Sequence, residues 1–314
     1  MMTTHLVVGA GPIGSTLALY LAERGDHVRL LTRSGSGPAH PGIERRAGDA
    51  SAAAELRSAI DGAAAVHWCL HASRYRADTW RAELPALESG VLRAASSADI
   101  PVIFAESLYA LDAGEQPFTS ASPFVPGSAK GEVRVELLRA REHAMARTVS
   151  VAASDYFGPF ARANAHAGER MIVPILRGRT VRPLGAVDQP HSFTYLPDLA
   201  TAMARAADDT AVDGLVMAPT APPITQRDLI AEYARAADVH APRVRPIPGG
   251  LLRWAGRVHR DSAELAEMLH QWEQPYVMDS RSDGTRLGVT PTPLEEAAAA
   301  TIAWWRAAAD TPSR

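Results

Sequence analysis

Three consecutive apolar residues, Leu6-Val7-Val8, open the first recognisable element, a run short enough for a strand buried on both faces. Leu17, Leu21 and their neighbours then recur at helical spacing as far as Gly25, which stands at a C-cap position. A second apolar run, Val28–Leu31, follows at once and completes a strand–helix–strand unit of crossover length. The alternation continues with a third strand ending near Gly48, a helix over Ala52–Ile60 and a fourth strand over Ala64–Ala72. Thr79–Ala98 predicts a helix with Trp80, Leu84, Leu87, Val91 and Leu92 on one side, and Ile100–Leu108 a fifth strand. Glu132–Arg147 reads as helix and Thr148–Ala152 as a sixth strand. Strands and helices in strict alternation with short links predict an α/β fold, a doubly wound parallel sheet.

The second half is less regular. Met171–Leu176 reads as a strand or a helix edge, and Gly178–Pro183 as a turn and strand. Phe193-Thr194-Tyr195 leads into a helix over Leu199–Ala207, and Gly214–Ala218 is a further buried strand. Helices are predicted over Thr225–Ala237 with Thr225 as N-cap, over Ser262–Trp272 and over Leu294–Ala308. The regular alternation of 1–160 and the looser pattern of 161–314 divide the chain into a larger first part and a smaller, partly helical second part. Segments around 187–220 are expected to return to the first part. No internal repeat or low-complexity linker interrupts this order. The loop from Asp112 to Gly127 is long enough to cover a site.

The turn after the first strand carries Gly9, Gly11 and Gly14 at G-x-G-x-x-G spacing, with Pro12 and Ile13 between the second and third glycines. In this context the first glycine allows the tight turn, the second lets backbone approach a pyrophosphate, and the third lets helix and strand pack closely. The free amides and the positive end of the helix dipole then face the phosphates. The second strand ends in Thr32-Arg33-Ser34, where an acidic residue would select the plain dinucleotide. Arg33 can hold a 2′-phosphate, with Thr32 and Ser34 adding hydrogen bonds, so NADP(H) is the expected cofactor; the alternative is an arginine that only stacks on adenine. Asp49 is expected beside the adenine or as an N-cap of the helix that follows.

Composition changes this picture little. The net charge of −3 and the lack of a long basic stripe give no nucleic-acid footprint. No other run is apolar enough to span a bilayer, so no membrane partner is expected, and the uncharged stretch Leu6–Ala22 lacks the basic flank of a signal peptide. Cys69 is the one cysteine, which excludes an internal disulfide and fits a reducing, cytoplasmic location. His67 and His71 share a strand face by parity, but no third ligand has metal spacing, and no metal is assigned. Lys130 is the only lysine in a chain rich in arginine.

GAGPIG, VHWCLHA, VIFAESLYAL, VSVAASDYFGP, HSFTYLPDLA and GVTPTPLEEAAAATIAWW, in this order and spacing, resemble the extended short-chain dehydrogenase/reductase superfamily in its NAD-dependent epimerase/dehydratase-like branch. The resemblance implies a Rossmann-type NADP-binding domain at 1–160 with a smaller, partly helical substrate-binding part at 161–314. It also implies catalysis by a Ser or Thr after the fifth strand and by a Tyr-x-x-x-Lys pair on the next helix, the lysine lowering the tyrosine pKa. Ser107 stands where the serine belongs. The tyrosine is missing: one alignment puts Ser128 and Glu132 at the pair's positions, and another, through Lys130, puts Pro126 at the tyrosine. Lys130 and Arg134, four apart on one helix face, are candidates to hold ribose or phosphate together, the alternative being a solvated basic face. A substitute proton donor is sought among Tyr109, Tyr156, Tyr195 and His71, which also stands where the cofactor is expected.

Trp68, Trp254, Met268, Trp272 and Tyr276 either form an apolar pocket for an aromatic or polyketide-like substrate or are simply core. Arg162, Asn164 and Arg177 are further polar candidates. Three functions stay open: an NADP(H)-dependent oxidoreductase acting on a small organic molecule, an NADP(H) sensor or non-redox protein, and a sugar-nucleotide epimerase or dehydratase. The expected partner is a small-molecule substrate, and a homodimer is left open.

Overall fold

The computed structural model describes residues 3–310, with side chains to residue 308. Among them are strands β1 (Thr4–Val8), β2 (His27–Thr32), β3 (Ile43–Ala47), β4 (Ala65–Trp68), β5 (Val102–Ser107), β6 (Thr148–Ala153), β7 (Asp155–Phe157), β8 (Phe193–Tyr195) and β9 (Gly214–Met217). The helices are α1 (Pro12–Glu23), α2 (Ala53–Ile60), α3 (Ala77–Ala98), α4 (Ala129–Glu142), α5 (Glu169–Leu176) and α6 (Leu196–Asp208). They continue with α7 (Gln226–Ala236), α8 (Gly249–Ala255), α9 (Arg260–Glu267), α10 (His270–Glu273), α11 (Arg281–Leu287) and α12 (Leu294–Asp310).

Seven strands form one parallel sheet in the order β3-β2-β1-β4-β5-β6-β9. The order reverses beside β1, and in open α/β sheets that switch point opens the crevice where ligands bind. On one face α1 and α6 bury Leu17, Leu21, Leu199 and Met203 with Val7 and Val151 of the sheet. On the other, α2 and α3 bury Leu56 and Val91 with Leu6, Val66 and Phe104. Through β9, which pairs with β6, and α6, which packs under α1, the chain returns from its second half to the first sheet.

The rest of that half gathers around a second core. Met171 and Ile175 of α5, Leu229 and Tyr233 of α7, and Ile302 of α12 close over Phe157 and Tyr195 of the two-stranded sheet β7-β8. The Thr225 hydroxyl accepts from Asp228 N–H and completes a capping box at the start of α7.

Several boundaries differ from the sequence pattern for physical reasons. The fourth strand stops at Trp68, so His71 lies in the following loop and not on the strand face of His67. The run Ser262–Trp272 is two helices, broken at Met268-Leu269 where both side chains turn into the core. Met171–Leu176 is helical, and Val181 forms only an isolated bridge to Val244. Helix α4 begins at Ala129 because the Ser128 hydroxyl accepts from Gly131 N–H at 3.0 Å, and it ends at Glu142, short of Arg147. Asp49 does not cap α2. It closes a turn by accepting from Ser51 N–H and Oγ–H, while Ala52 stands at the N-cap with no side-chain bond.

At the opposite end of the sheet, His5 Nδ1 and His67 Nε2 lie 3.1 Å apart in a buried pair. Burial pushes both imidazoles below their ordinary pKa, His67 well below, with Asp26 only partly offsetting the effect at His5. The folded state therefore binds fewer protons than the unfolded chain, and this stability is present above about pH 6.5 and lost as pH falls below it. Urea midpoints should drop from pH 7.5 to 5.5, and His67→Leu should flatten that slope; an unchanged slope in the variant would remove the pair as its cause.

Candidate cofactor and active site

The glycine turn is built by contact. Gly9 adopts φ +99°, and its N–H donates to Leu31 O at 2.9 Å. A Cβ on Gly14 would overlap the Gly9 carbonyl oxygen and stand 3.0 Å from its carbon. Gly11 is different: it is exposed, and a Cβ there would meet nothing within 4 Å. Helix α1 starts behind it with Pro12 at the first position, no side-chain cap and no acid in its first turn. Its leading amides thus face the crevice without a competing side-chain acceptor, the arrangement that favours an anion.

Beside this turn lies a cleft of about 690 Å³ between the ends of β1 and β2, the start of α2 and the length of α3. Thr32, Arg33, Asp49 and His71 all line it, with Leu31, Leu56, Leu70 and Leu87 as its apolar wall. The Asp49 carboxyl is held below its ordinary pKa by the bonds from Ser51, with a smaller contribution from the Arg33 charge. Arg33 is exposed and makes no side-chain hydrogen bond or ion pair among the described residues. Ser34 bonds Ser36 Oγ at 2.8 Å, and Thr32 Oγ1 donates to Ser36 O at 3.1 Å, so both hydroxyls shape the turn behind the arginine.

Beyond the residues that line this cleft, the end of β5 is polar and densely paired. Ser107 is half-buried at the end of β5; its N–H donates to Glu106 Oε1 at 2.7 Å and its hydroxyl reaches the same oxygen at 3.3 Å. Burial pushes the Glu106 carboxyl up, but Arg134 and Arg141 outweigh it and hold the group below its ordinary value. Tyr109 Oη lies 2.9 Å from Tyr75 Oη, and its ring stacks on Trp80 at 6.1 Å. Burial raises the Tyr109 pKa well above its ordinary value. Tyr156, half-buried on β7, is pushed up to about 12 by burial. Tyr195 is buried in the second core against Phe157. His71 stands edge-on to Trp80 at 4.6 Å.

The two cations of α4 part company. Lys130 is fully buried, and its ammonium bonds Glu264 Oε2, Glu264 O at 3.1 Å and Glu267 Oε2 at 2.8 Å, all on α9. Arg134 turns to Glu106, 3.4 Å away, and lies over the Trp80 ring at 4.8 Å. Neither is a solvated basic face, and the structure does not bring them together on one anion. Cys69 is half-buried, and its surroundings push its thiol up to about 12. The apolar pocket is corrected too: Trp68, Met268, Trp272 and Tyr276 are core, and Trp254 points outward at 62 % exposure.

One group of residues escaped the sequence reading. The Asp155 carboxylate accepts from Trp272 Nε1–H at 2.6 Å and lies 3.1 Å from His191 Nε2, while His191 Nδ1 faces Gln271 O at 3.1 Å. Burial raises the Asp155 carboxyl, but His191 and the other donors bring it down to about 2. His166 stacks on Trp272 at 4.5 Å, and the buried Tyr276 hydroxyl has no protein partner. Asp155 lies within the SDYFGP segment, but its partners come from residues 36 and 117 positions later, beyond any local spacing rule.

Comparisons place this architecture among solved structures. Bordetella bronchiseptica WbmH in complex with NAD+ is 20% identical, with 98% of this chain and 99% of that one covered and a TM-score of 0.74. UDP-N-acetylglucosamine 4-epimerase from Bacillus cereus is 14% identical over 99% of each chain, with a TM-score of 0.76. UDP-glucose 4-epimerase from Thermotoga maritima, solved with UDP-glucose, is 18% identical over 98% and 100%, at 0.75. At such identities the likeness is one of fold. No curated protein matches significantly in sequence. The family model named NAD dependent epimerase/dehydratase matches residues 5–215, well over half of a chain whose glycine turn and parallel sheet are as described, and the protein belongs to that family.

Proposed function

We propose that the protein is an NADP(H)-dependent oxidoreductase acting on a small organic carbonyl compound. The observation that carries the cofactor assignment is the junction of the open Gly11 bend, the uncapped start of α1 and a cleft rimmed by the unpartnered Arg33. These residues fit a phosphorylated dinucleotide. The bend and helix start would hold the diphosphate, the apolar wall with Asp49 the adenosine, and Arg33 the 2′-phosphate. The bound cofactor would supply or accept the hydride.

The chain's own groups then act on the substrate oxygen. Ser107 can turn its hydroxyl from Glu106 to donate to that oxygen and polarise the carbonyl. Tyr109, protonated at neutral pH, is the acid that delivers the proton, and Tyr75 holds its hydroxyl in place. Tyr156 is the second candidate for that role. Lys130 fixes this corner, its ammonium 4.9 Å from the centre of the Tyr75 ring while it ties α4 to α9. NADPH consumption should be followed against quinones, aromatic ketones and imines. Ser107→Ala and Tyr109→Phe should each lower turnover by roughly 10²–10⁴-fold while leaving NADPH affinity intact. Turnover unchanged in both would remove these assignments.

A second reading, a dinucleotide-binding protein without turnover, is favoured by the Lys130 clasp, which consumes the one ammonium in two carboxylates. Tight NADPH binding with no consumption across the panel would select it. Sugar-nucleotide epimerisation, named for several structural neighbours, ranks third: it needs a group that removes and returns a proton, and the Tyr-x-x-x-Lys pair that would do so is absent from this chain. For the cofactor, Arg33→Asp should weaken NADPH by about 10–100-fold in calorimetry, as expected for lost hydrogen bonds to a charged group, and leave NADH nearly unchanged. Equal weakening of the two would show that the arginine does not read the 2′-phosphate.

A further inference from the structure

Between Val239 and Arg260 the charge balance of the chain is inverted. The whole protein carries −3, yet this stretch holds Arg243, Arg245, Arg253, Arg257 and Arg260, with His240 and His259, and no carboxylate. Arg253 pairs with Glu273 and Arg260 with Asp78. Arg243, Arg245 and Arg257 are exposed and have no side-chain partner among the described residues.

The same stretch exposes large apolar side chains. Leu251 is 57%, Trp254 62% and Val258 72% exposed, and Val239 stands at its start at 36%. Leu251, Trp254 and Val258 are spaced i, i+3 and i+7, hence on one side of a helical path. That path extends past α8, since Gly256 N–H donates to Leu252 O and His259 N–H to Ala255 O at 2.9 Å each. The opposite side is anchored: Leu252 packs with Leu184, Leu269 and Trp272. The outward residues are therefore displayed by a helix fixed from behind.

We propose that this face docks on an anionic lipid surface, with Leu251, Trp254 and Val258 entering the headgroup boundary and the arginines meeting lipid phosphates. A tryptophan and aliphatic residues on a short helical path, with Arg257 on that path and Arg243 and Arg245 in the segment leading to it, are the composition such surfaces take. Protruding apolar side chains this exposed suit a deformable bilayer, whereas a protein partner would need a matching socket. A second copy on the same face would bring the arginines of both chains together, a like-charge arrangement that opposes self-docking. No helix among the described residues is long and apolar enough to cross a membrane, so the contact is peripheral.

The test uses the full chain with sedimented vesicles of phosphatidylcholine, with and without phosphatidylglycerol. The protein should pellet with the anionic vesicles at low salt and be released at high salt. Arg243→Gln/Arg245→Gln/Arg257→Gln should weaken binding roughly 100-fold, at about a factor of ten or less per arginine near the surface. Leu251→Ser/Trp254→Ser should weaken it about tenfold or more at unchanged charge. All replaced residues are exposed, and circular dichroism with NADPH calorimetry checks that each variant stays folded. Equal pelleting with neutral vesicles, no pelleting with either, or indifference to both sets of substitutions overturns the proposal. So does a dimer in light scattering that the Leu251/Trp254 variant dissolves while vesicles capture neither form.

Discussion

Arg141→Met should destabilise the protein by about 3–5 kcal/mol at pH 7, the cost of breaking a buried ion network from one side. Arg141 is buried against β5, and its guanidinium donates to Glu88 at 2.6 and 2.8 Å, to Glu106 Oε2 at 2.7 Å and to Ser150 Oγ at 2.9 Å. It also covers the Phe104 ring at 3.9 Å. Methionine fills much of the same volume, so the loss is chiefly electrostatic: two carboxylates remain in the core with only Arg134 near one of them. The pH dependence identifies the cause. In the natural protein Glu106 has a lowered pKa, so its contribution is present above the ordinary carboxylate range and is lost as pH falls through it. In the variant burial dominates, the carboxyls take up protons on folding, and stability should recover as pH falls from 7 to 5. Denaturant midpoints at the two pH values measure this directly. A variant that loses stability equally at both would show that packing, not charge, is what Arg141 supplies.

The same network bears on function, since Glu106 also receives the Ser107 N–H and hydroxyl. The hydroxyl proposed to polarise the substrate thus rests on a fixed acceptor, which is held by two arginines from α4. This link shows why part of the candidate site was legible in the sequence and part was not. The glycine turn and Arg33 sit at fixed offsets from strand ends, and strand ends are announced by apolar runs. Their positions follow from local pattern alone. Ser107, also at a strand end, is singled out through the family resemblance. The roles of Lys130 and Arg134 depend on Glu264, Glu267 and Glu106, which only the closed fold brings near. Spacing four apart puts two cations on one face but says nothing about which distant carboxylate claims each. Asp155 and His191 were missed for the same reason. Trp254 was misread because hydrophobicity alone does not say whether a helix face turns inward; Leu252, one residue from Leu251, took the core position instead.

The second and third glycines of the turn should fail in opposite ways when given a methyl group, and the contrast separates folding from binding. At Gly14 the added Cβ would collide with the Gly9 carbonyl oxygen, a backbone atom fixed by the hydrogen bond from Gly9 N–H to Leu31. Neither α1 nor the turn can move aside without breaking the packing of Leu17 and Leu21 in the core. Gly14→Ala should therefore cost at least about 3 kcal/mol, the upper part of the range for overpacking, and lower the thermal midpoint with or without cofactor. Gly11 has φ −68° and ψ −175°, a conformation that alanine adopts freely, and open space where the Cβ would go. Gly11→Ala should leave the midpoint of the free protein within about 0.5 kcal/mol of the natural one. Its methyl group would instead occupy the space through which backbone amides reach a diphosphate, so affinity for NADPH should fall by at least about tenfold. Calorimetry and thermal denaturation on the two variants give four numbers. If Gly11→Ala binds NADPH as tightly as the natural chain, the diphosphate does not rest on this bend, and the cofactor site must be sought elsewhere on the sheet edge.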